Sequence, residues 1–276
     1  MRKHFYSRWA FTLVELLVVI AIITVLIAIL LPVLTRVKQQ AQQIQCQANL
    51  RTIGQAVLMY TQQNKDRFPI CVTDDTGVGP AAICWPVRLR KILGGNQRVF
   101  YCPAQDPRCQ WTADAPGTNA PAPLSATWFG YELGERLLLN DMYFSYGTNT
   151  AGCGGRPGFP GRGMGADTYL GSPPSFKAGS RRATMVKRAS DFIMVADTVA
   201  DAYEDFGITP TPPAPGNLLE FGLGTIHRGG CNVLFADGHV QWYLRTDLMV
   251  VNPPSPEDGC KQRMWNVDYE PSQPWP

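Results

Sequence analysis

Two histidines and an aspartate near the C-terminus, His227, Asp237 and His239, are of types that build a metal triad or an acid/base pair. Their local sequence points elsewhere. Asp237-Gly238 is the residue pair that a two-residue type I′ hairpin turn prefers, because both positions need positive φ. His239 then opens a strand, and His227 precedes Gly229-Gly230, where a side chain can satisfy loop backbone groups. His227, Asp237 and Gly238 are therefore read as a structural motif. A second cluster, Asp197, Asp201, Glu204 and Asp205, is carboxylate-rich. Calcium prefers several oxygen ligands, which makes Asp197, Asp201 and Asp205 candidates, but their spacing is not that of an EF-hand loop. A solvated acidic loop without cofactor is expected. No nucleophile elbow, paired-carboxylate site or H-E-x-x-H helix occurs, and the Gly-rich stretch 152–165 lacks the phosphate-binding G-x-x-x-x-G-K-[ST] order. No catalytic residue is assigned and an enzyme is not expected.

Eight cysteines stand at positions 46, 71, 84, 102, 109, 153, 231 and 260. None is C-x-x-C spaced, and no His/Cys pair has finger-like spacing, so zinc is not expected. Cys102 and Cys109 are close enough for a local bridge, although spacing alone does not fix the pairing.

The remaining reactive group is Glu15, alone in the apolar run Phe11–Pro32. About 20 apolar residues at ~1.5 Å each match a hydrocarbon layer of ~30 Å, so this run reads as a membrane-spanning helix. A carboxylate there costs on the order of 2.5–3.5 kcal/mol on insertion scales and so implies a partner. The leader MRKHFYSRWA carries Arg2, Lys3 and Arg8, which keeps that end cytoplasmic and exports the rest. The apolar core is too long for a cleavable secretory signal. A plain signal anchor is the rival, but it accounts for neither Glu15 nor the leader junction. Cleavage between Ala10 and Phe11 would put a new amine four residues from Glu15, one helical turn away. Amine and carboxylate would then neutralise each other, within one subunit or between two.

These residues resemble a bacterial type IV prepilin. Phe11 takes the place of the first mature residue, Glu15 of the fifth and Pro32 of the twenty-second; Ala10 stands where the family most often has Gly. The resemblance continues along the chain. Val33, Val37, Ala41, Ile44 and Ala48 recur at helical spacing. Leu50, Ile53, Val57 and Tyr60 form a second stripe roughly half a turn away. One continuous helix from Phe11 to Asn64, ~80 Å long, is expected. Its first stripe would meet neighbouring subunits and its second its own globular part; a helix simply wrapped by its own domain is the alternative. Pro32 should kink it or loosen one turn. Asn49, Leu50, Ile53, Gly54, Ala56, Tyr60, Asn64, Phe68 and Pro69, with Cys46, are similar to a large prepilin-like group. Cys102-Pro103 recurs in that group, as does a His-x9-Asp-Gly ending, matched by His227 and Asp237-Gly238.

For the globular part the patterns predict a helix over 85–93, and strands over 98–101, 142–146, 192–196, 232–236 and 239–243. With 26 Gly and 23 Pro among 276 residues, much of it is loop. A net charge of +3 leaves no nucleic-acid footprint. The resemblance implies an α+β, pilin-like fold: a long N-terminal helix packed on a small antiparallel sheet. Its domains would be a leader over 1–10, the helix over 11–64, with residues 11–32 in the membrane, and an exported part over 65–276. It further implies a structural subunit of a type IV pilus-like or type II secretion pseudopilus assembly. That subunit would be cut and methylated at Ala10/Phe11 by a prepilin peptidase and held in the inner membrane. The exported part would be periplasmic or extracellular, with like subunits as partners through Glu15, Pro32 and the apolar helix. The alternative is a membrane-anchored exported binding or enzymatic domain working around His227 and Asp237.

Overall fold

A computed structural model describes residues 13–69, 84–111, 143–150, 164, 181–200, 207–208, 222–249 and 263–265. The chain divides into two compact units, Met1–Ala41 and Gln42–Pro276. Helix α1, Leu13–Gln63, contributes to both and runs through Pro32 without interruption. Phe11 and the leader junction lie outside the described residues.

In the first unit, every large apolar side chain from Leu13 to Val37 is exposed, between 46% and 78%. The helix is apolar all round and has no water-compatible face, the pattern of a helix made for a non-aqueous setting. Its two hydroxyls need no water, since Thr24 Oγ1 donates to the Ala21 carbonyl and Thr35 Oγ1 to the Leu31 carbonyl. By length and composition this helix can cross a membrane.

In the second unit the helix acquires a buried side. Leu50, Ile53 and Val57 are fully buried, whereas Ile44 is 58% exposed and Ala48 is exposed. The second stripe is thus buried in the sheet unit, while the first is exposed. The helix ends where Lys65 and Asp66 take positive φ, with the Asn64 side chain donating to the Tyr60 carbonyl.

The sheet has the order β3-β1-β2-β4-β5, with β1 at Tyr146–Asn149, β2 at Ile193–Asp197, β3 at Gly207–Ile208, β4 at Gly230–Phe235 and β5 at Val240–Leu244. It is mixed, which corrects the antiparallel expectation, because β1 and β3 pair in parallel while the other three pairings are antiparallel. Strand β2 runs against β1 and has its other edge occupied by β4. Strand β3 runs with β1 and lies on its other edge. Two-residue β3 carries no alternation for a sequence pattern to reveal.

Helix α2, Trp85–Arg90, falls in the expected place, as do β2, β4 and β5 within two residues. Two expectations fail. Residues 97–100 form a 3₁₀ turn capped by Asn96, whose side chain accepts from the Arg98 N–H, rather than a strand. Strand β1 starts at Tyr146, where the predicted strand ended.

Both sheet faces are covered. Met194 and Leu234 pack with Cys46, Leu50, Ile53 and Val57 of α1 and with Trp85, Phe100 and Phe192. Ile193, Ala196, Val233 and Phe235 pack on the opposite side with Ile208, Leu223, Trp265 and Leu248 of α3, Arg245–Leu248. This burial on both sides is why β2 reads as a continuous apolar run rather than an alternating one.

Candidate functional site

Between α1 and the sheet lies a buried polar cluster built on Asp197, Asn232 and His227. Asp197 ends β2 with no exposure. Its Oδ2 accepts the Asn232 N–H from neighbouring β4 at 2.6 Å, while Oδ1 has no hydrogen-bond partner among the described residues. Burial pushes this carboxyl up to about 7 against the pull of that N–H. Asn232, also fully buried, accepts from Gln47 Nε2 of α1 through Oδ1 at 3.1 Å. Asp197 is thus not part of a solvated acidic loop. Strand β2 carries it into the core, and the other calcium candidates, Asp201 and Asp205, lie outside the described residues.

His227 is positioned by a tight turn. His227 and Gly230 exchange backbone hydrogen bonds at 3.1 Å each, and Arg228 and Gly229 between them both have positive φ. The paired positive φ of a type I′ turn is found here rather than at Asp237-Gly238. Gly230 must be glycine, since a Cβ there would run into the Tyr243 carbonyl oxygen. The loop backbone is satisfied by itself and by Trp242 Nε1, which donates to the His227 carbonyl at 2.7 Å. The His227 ring therefore does not serve the loop as expected but turns inward, 2% exposed. Its Nε2 lies 3.3 Å from Cys102 Sγ and 3.7 Å from Asp197 Oδ2. Burial pushes the imidazole down to about 4, so at neutral pH it is uncharged and the contact with Asp197 is not an ion pair.

Cys102 is bonded to Cys46 of α1, with Cα atoms 5.2 Å apart. This corrects the local Cys102–Cys109 bridge. Cys109 ends a 3₁₀ turn capped by Asp106 and lines a shallow depression with Phe100 and Trp111. Cys84 and Cys231 are buried. The donor atoms of Cys46, Cys102 and His227 lie within 4.8 Å of one another. The constellation is not a nucleophile–base–orienter triad: both neighbours of His227 meet the same ring nitrogen, and the sulfur is held in a disulfide.

Asp237 and His239 are elsewhere. The turn leaves His227 at one end of β4 and these two at the other, ~20 Å apart for six residues at ~3.3 Å each. A three-membered site of His227, Asp237 and His239 is therefore not assembled. In the hairpin only Gly238 has positive φ, and Gly238 N–H donates to the Phe235 carbonyl. This is the three-residue loop with a left-handed third position, not the two-residue turn predicted. Asp237 Oδ1 accepts from His239 N at 3.0 Å and meets its Nδ1 at 2.6 Å, and the His239 ring stacks on Phe235. Partial burial raises the Asp237 carboxyl, but the His239 hydrogen bonds outweigh it and hold it below its ordinary range.

Sequence reasoning missed Asn232 and the meeting of His227 with the disulfide. The one available signal was the separate occurrence of Cys46, Cys102-Pro103 and His227 in the resemblance. No protein-family model, curated protein or solved structure matches this chain.

Proposed function

We propose that this chain is a pilin-like structural subunit of a type IV pilus-like or type II secretion pseudopilus assembly. The observation that carries the reading is the division of one unbroken helix. Its first part exposes apolar side chains all round, and its later part buries only the Leu50, Ile53 and Val57 side in its own sheet unit. A plain membrane anchor needs ~20 residues, not 51. The exposed stripe continuing through Val37, Ala41, Ile44 and Ala48 is apolar surface beyond what a bilayer requires.

On this reading a prepilin peptidase cuts between Ala10 and Phe11 and methylates the new amine. The subunit waits in the inner membrane with its sheet unit exported. On assembly, lipid contacts of the helix are exchanged for contacts with sister helices. Glu15 balances a Phe11 amine and selects one register over slipped ones. The Cys46–Cys102 disulfide suits an oxidising compartment.

Mass spectrometry of the native N-terminus tests this, with methylated Phe11 expected and an intact Met1 favouring a tethered domain. Glu15→Ala should insert into the membrane without assembling. Normal assembly of that variant would count against the reading.

A further inference from the structure

The chain leaves α1 through a turn in which two residues with side chains take a glycine-like conformation. Lys65 and Asp66 have φ of 55° and 60°, and the Arg67 N–H donates to the Asn64 carbonyl at 3.1 Å. Left-handed backbone is unfavourable for residues with a Cβ and persists where the surroundings hold it. Here an antiparallel bridge between Arg67 and Arg182 follows at once. The Phe68 N–H donates to the Arg181 carbonyl at 2.9 Å and the Ala183 N–H to the Asp66 carbonyl at 2.6 Å. These bonds flank the Arg67–Arg182 pair instead of joining it. That is the closer of the two antiparallel pair types, with Cα atoms ~4.5 Å apart. Phe68, 2% exposed and against the Phe192 ring, and partly buried Ala183 face the core. Alternation then sends Arg67 and Arg182 together to the solvent side, and both are exposed.

Like charges directly opposite each other on paired strands repel. Arginine nevertheless stands at both positions, with exposed Lys65 two residues before Arg67. Among the described residues, Arg182, Lys65 and the turn's own Asp66 take part in no ion pair. Guanidinium forks suit bidentate recognition of oxyanions. A carboxylate offers two oxygens and one charge, enough for one fork. A phosphoryl group offers three oxygens and up to two charges, enough for two forks and an ammonium. We infer that Arg67, Arg182 and Lys65 form a binding site for a phosphoryl group, supplied as free phosphate or as a phosphate ester on a larger molecule. The bridge presents the two forks side by side, the left-handed turn carries Lys65 beside them, and the bound anion relieves the repulsion between the arginines. The site belongs to the second unit and does not depend on the assembly reading.

The test is equilibrium dialysis of the full chain in non-ionic detergent against inorganic phosphate and against linear polyphosphate. Saturable binding that weakens as salt rises is expected. Arg67→Gln and Arg182→Gln should each weaken it on the order of 10–100-fold, since each removes charge-assisted hydrogen bonds. Near-UV circular dichroism checks that the fold is kept. Arg182→Lys keeps the charge but loses the fork, and should weaken binding nearly as much. Binding of polyphosphate without binding of phosphate identifies a chain-borne ester as the source. Binding of both identifies the free ion, and either result supports the site. Three results would overturn it: polyglutamate held as tightly as polyphosphate, an affinity unchanged in both Arg182→Gln and Arg67→Gln, or binding lost when Arg2, Lys3 and Arg8 of the leader are replaced by Gln.

Discussion

In the disulfide-closed protein, Asp197 and His227 make opposite contributions to stability as pH changes, and substitution of either should expose the other. Burial raises Asp197 from 3.8 to about 7, so the folded state holds a proton there that the unfolded state has lost. Its contribution is fully present below the unfolded value and disappears as pH rises to about 7. At ~1.36 kcal/mol per pH unit, the raised carboxyl removes about 4 kcal/mol across that window. Burial lowers His227 from 6.5 to about 4, so here the unfolded state binds the extra proton. Its contribution is present above 6.5 and is lost as pH falls to about 4, amounting to about 3 kcal/mol. Between pH 4 and 6.5 the two slopes nearly cancel, leaving the native pair almost indifferent to pH. His227→Gln should therefore make stability fall by about 3 kcal/mol from pH 4 to 6.5 relative to the parent's profile. Asp197→Asn should make it rise by about 3 kcal/mol from pH 4 to 6.5. Against a usual total of ~5–15 kcal/mol, either slope is readily measured. The assay is urea unfolding of the full chain in detergent at a series of pH values. Near-UV circular dichroism of buried Trp85 and Trp265 would report the sheet unit. Parallel pH profiles for parent and both variants would refute the assignment of these protonation states to the buried pair.

Three further outcomes follow from the packing. The Cys46–Cys102 bridge spans 56 residues, so Cys102→Ala should lower stability by about 4 kcal/mol by the chain-entropy relation; an unchanged urea midpoint would deny the bridge, and non-reducing peptide mapping checks it directly. Ile53→Ala, at a fully buried position, should cost ~2–5 kcal/mol, whereas Ile44→Ala, 58% exposed, should stay within ~0.5 kcal/mol in the unassembled subunit. Equal effects in thermal unfolding would mean that the helix does not bury the Ile53 side alone. Gly230→Ala should cost ~1–3 kcal/mol or more, because its Cβ meets backbone and the Trp242 ring. Gly229→Ala, at φ +82° with nothing within 4 Å, should cost only ~1–2 kcal/mol of left-handed strain. A reversed order in urea midpoints would contradict the turn geometry.

The sequence by itself determined the long helix, its apolar first part and the later side that it buries, because these are local periodicities that survive in one dimension. It also placed α2, β2 and the β4–β5 hairpin, whose strands are long enough to carry a pattern. Only the tertiary structure decided the rest. The parallel β3 has two residues, too few to carry a pattern. The run after Asn96 satisfied its backbone as a 3₁₀ turn instead of a strand because a side-chain cap was at hand. The bridge formed between Cys46 and Cys102 rather than Cys102 and Cys109 because α1 packs against the segment carrying Cys102. Asp197, legible only as one acid in an acidic stretch, became a buried carboxyl because β2 draws it between α1 and β4. His227 reached the disulfide because its loop closed through backbone bonds and left the ring free to turn inward. Spacing along a chain does not encode which distant side chains meet, and it is that meeting which creates the chemistry of this core.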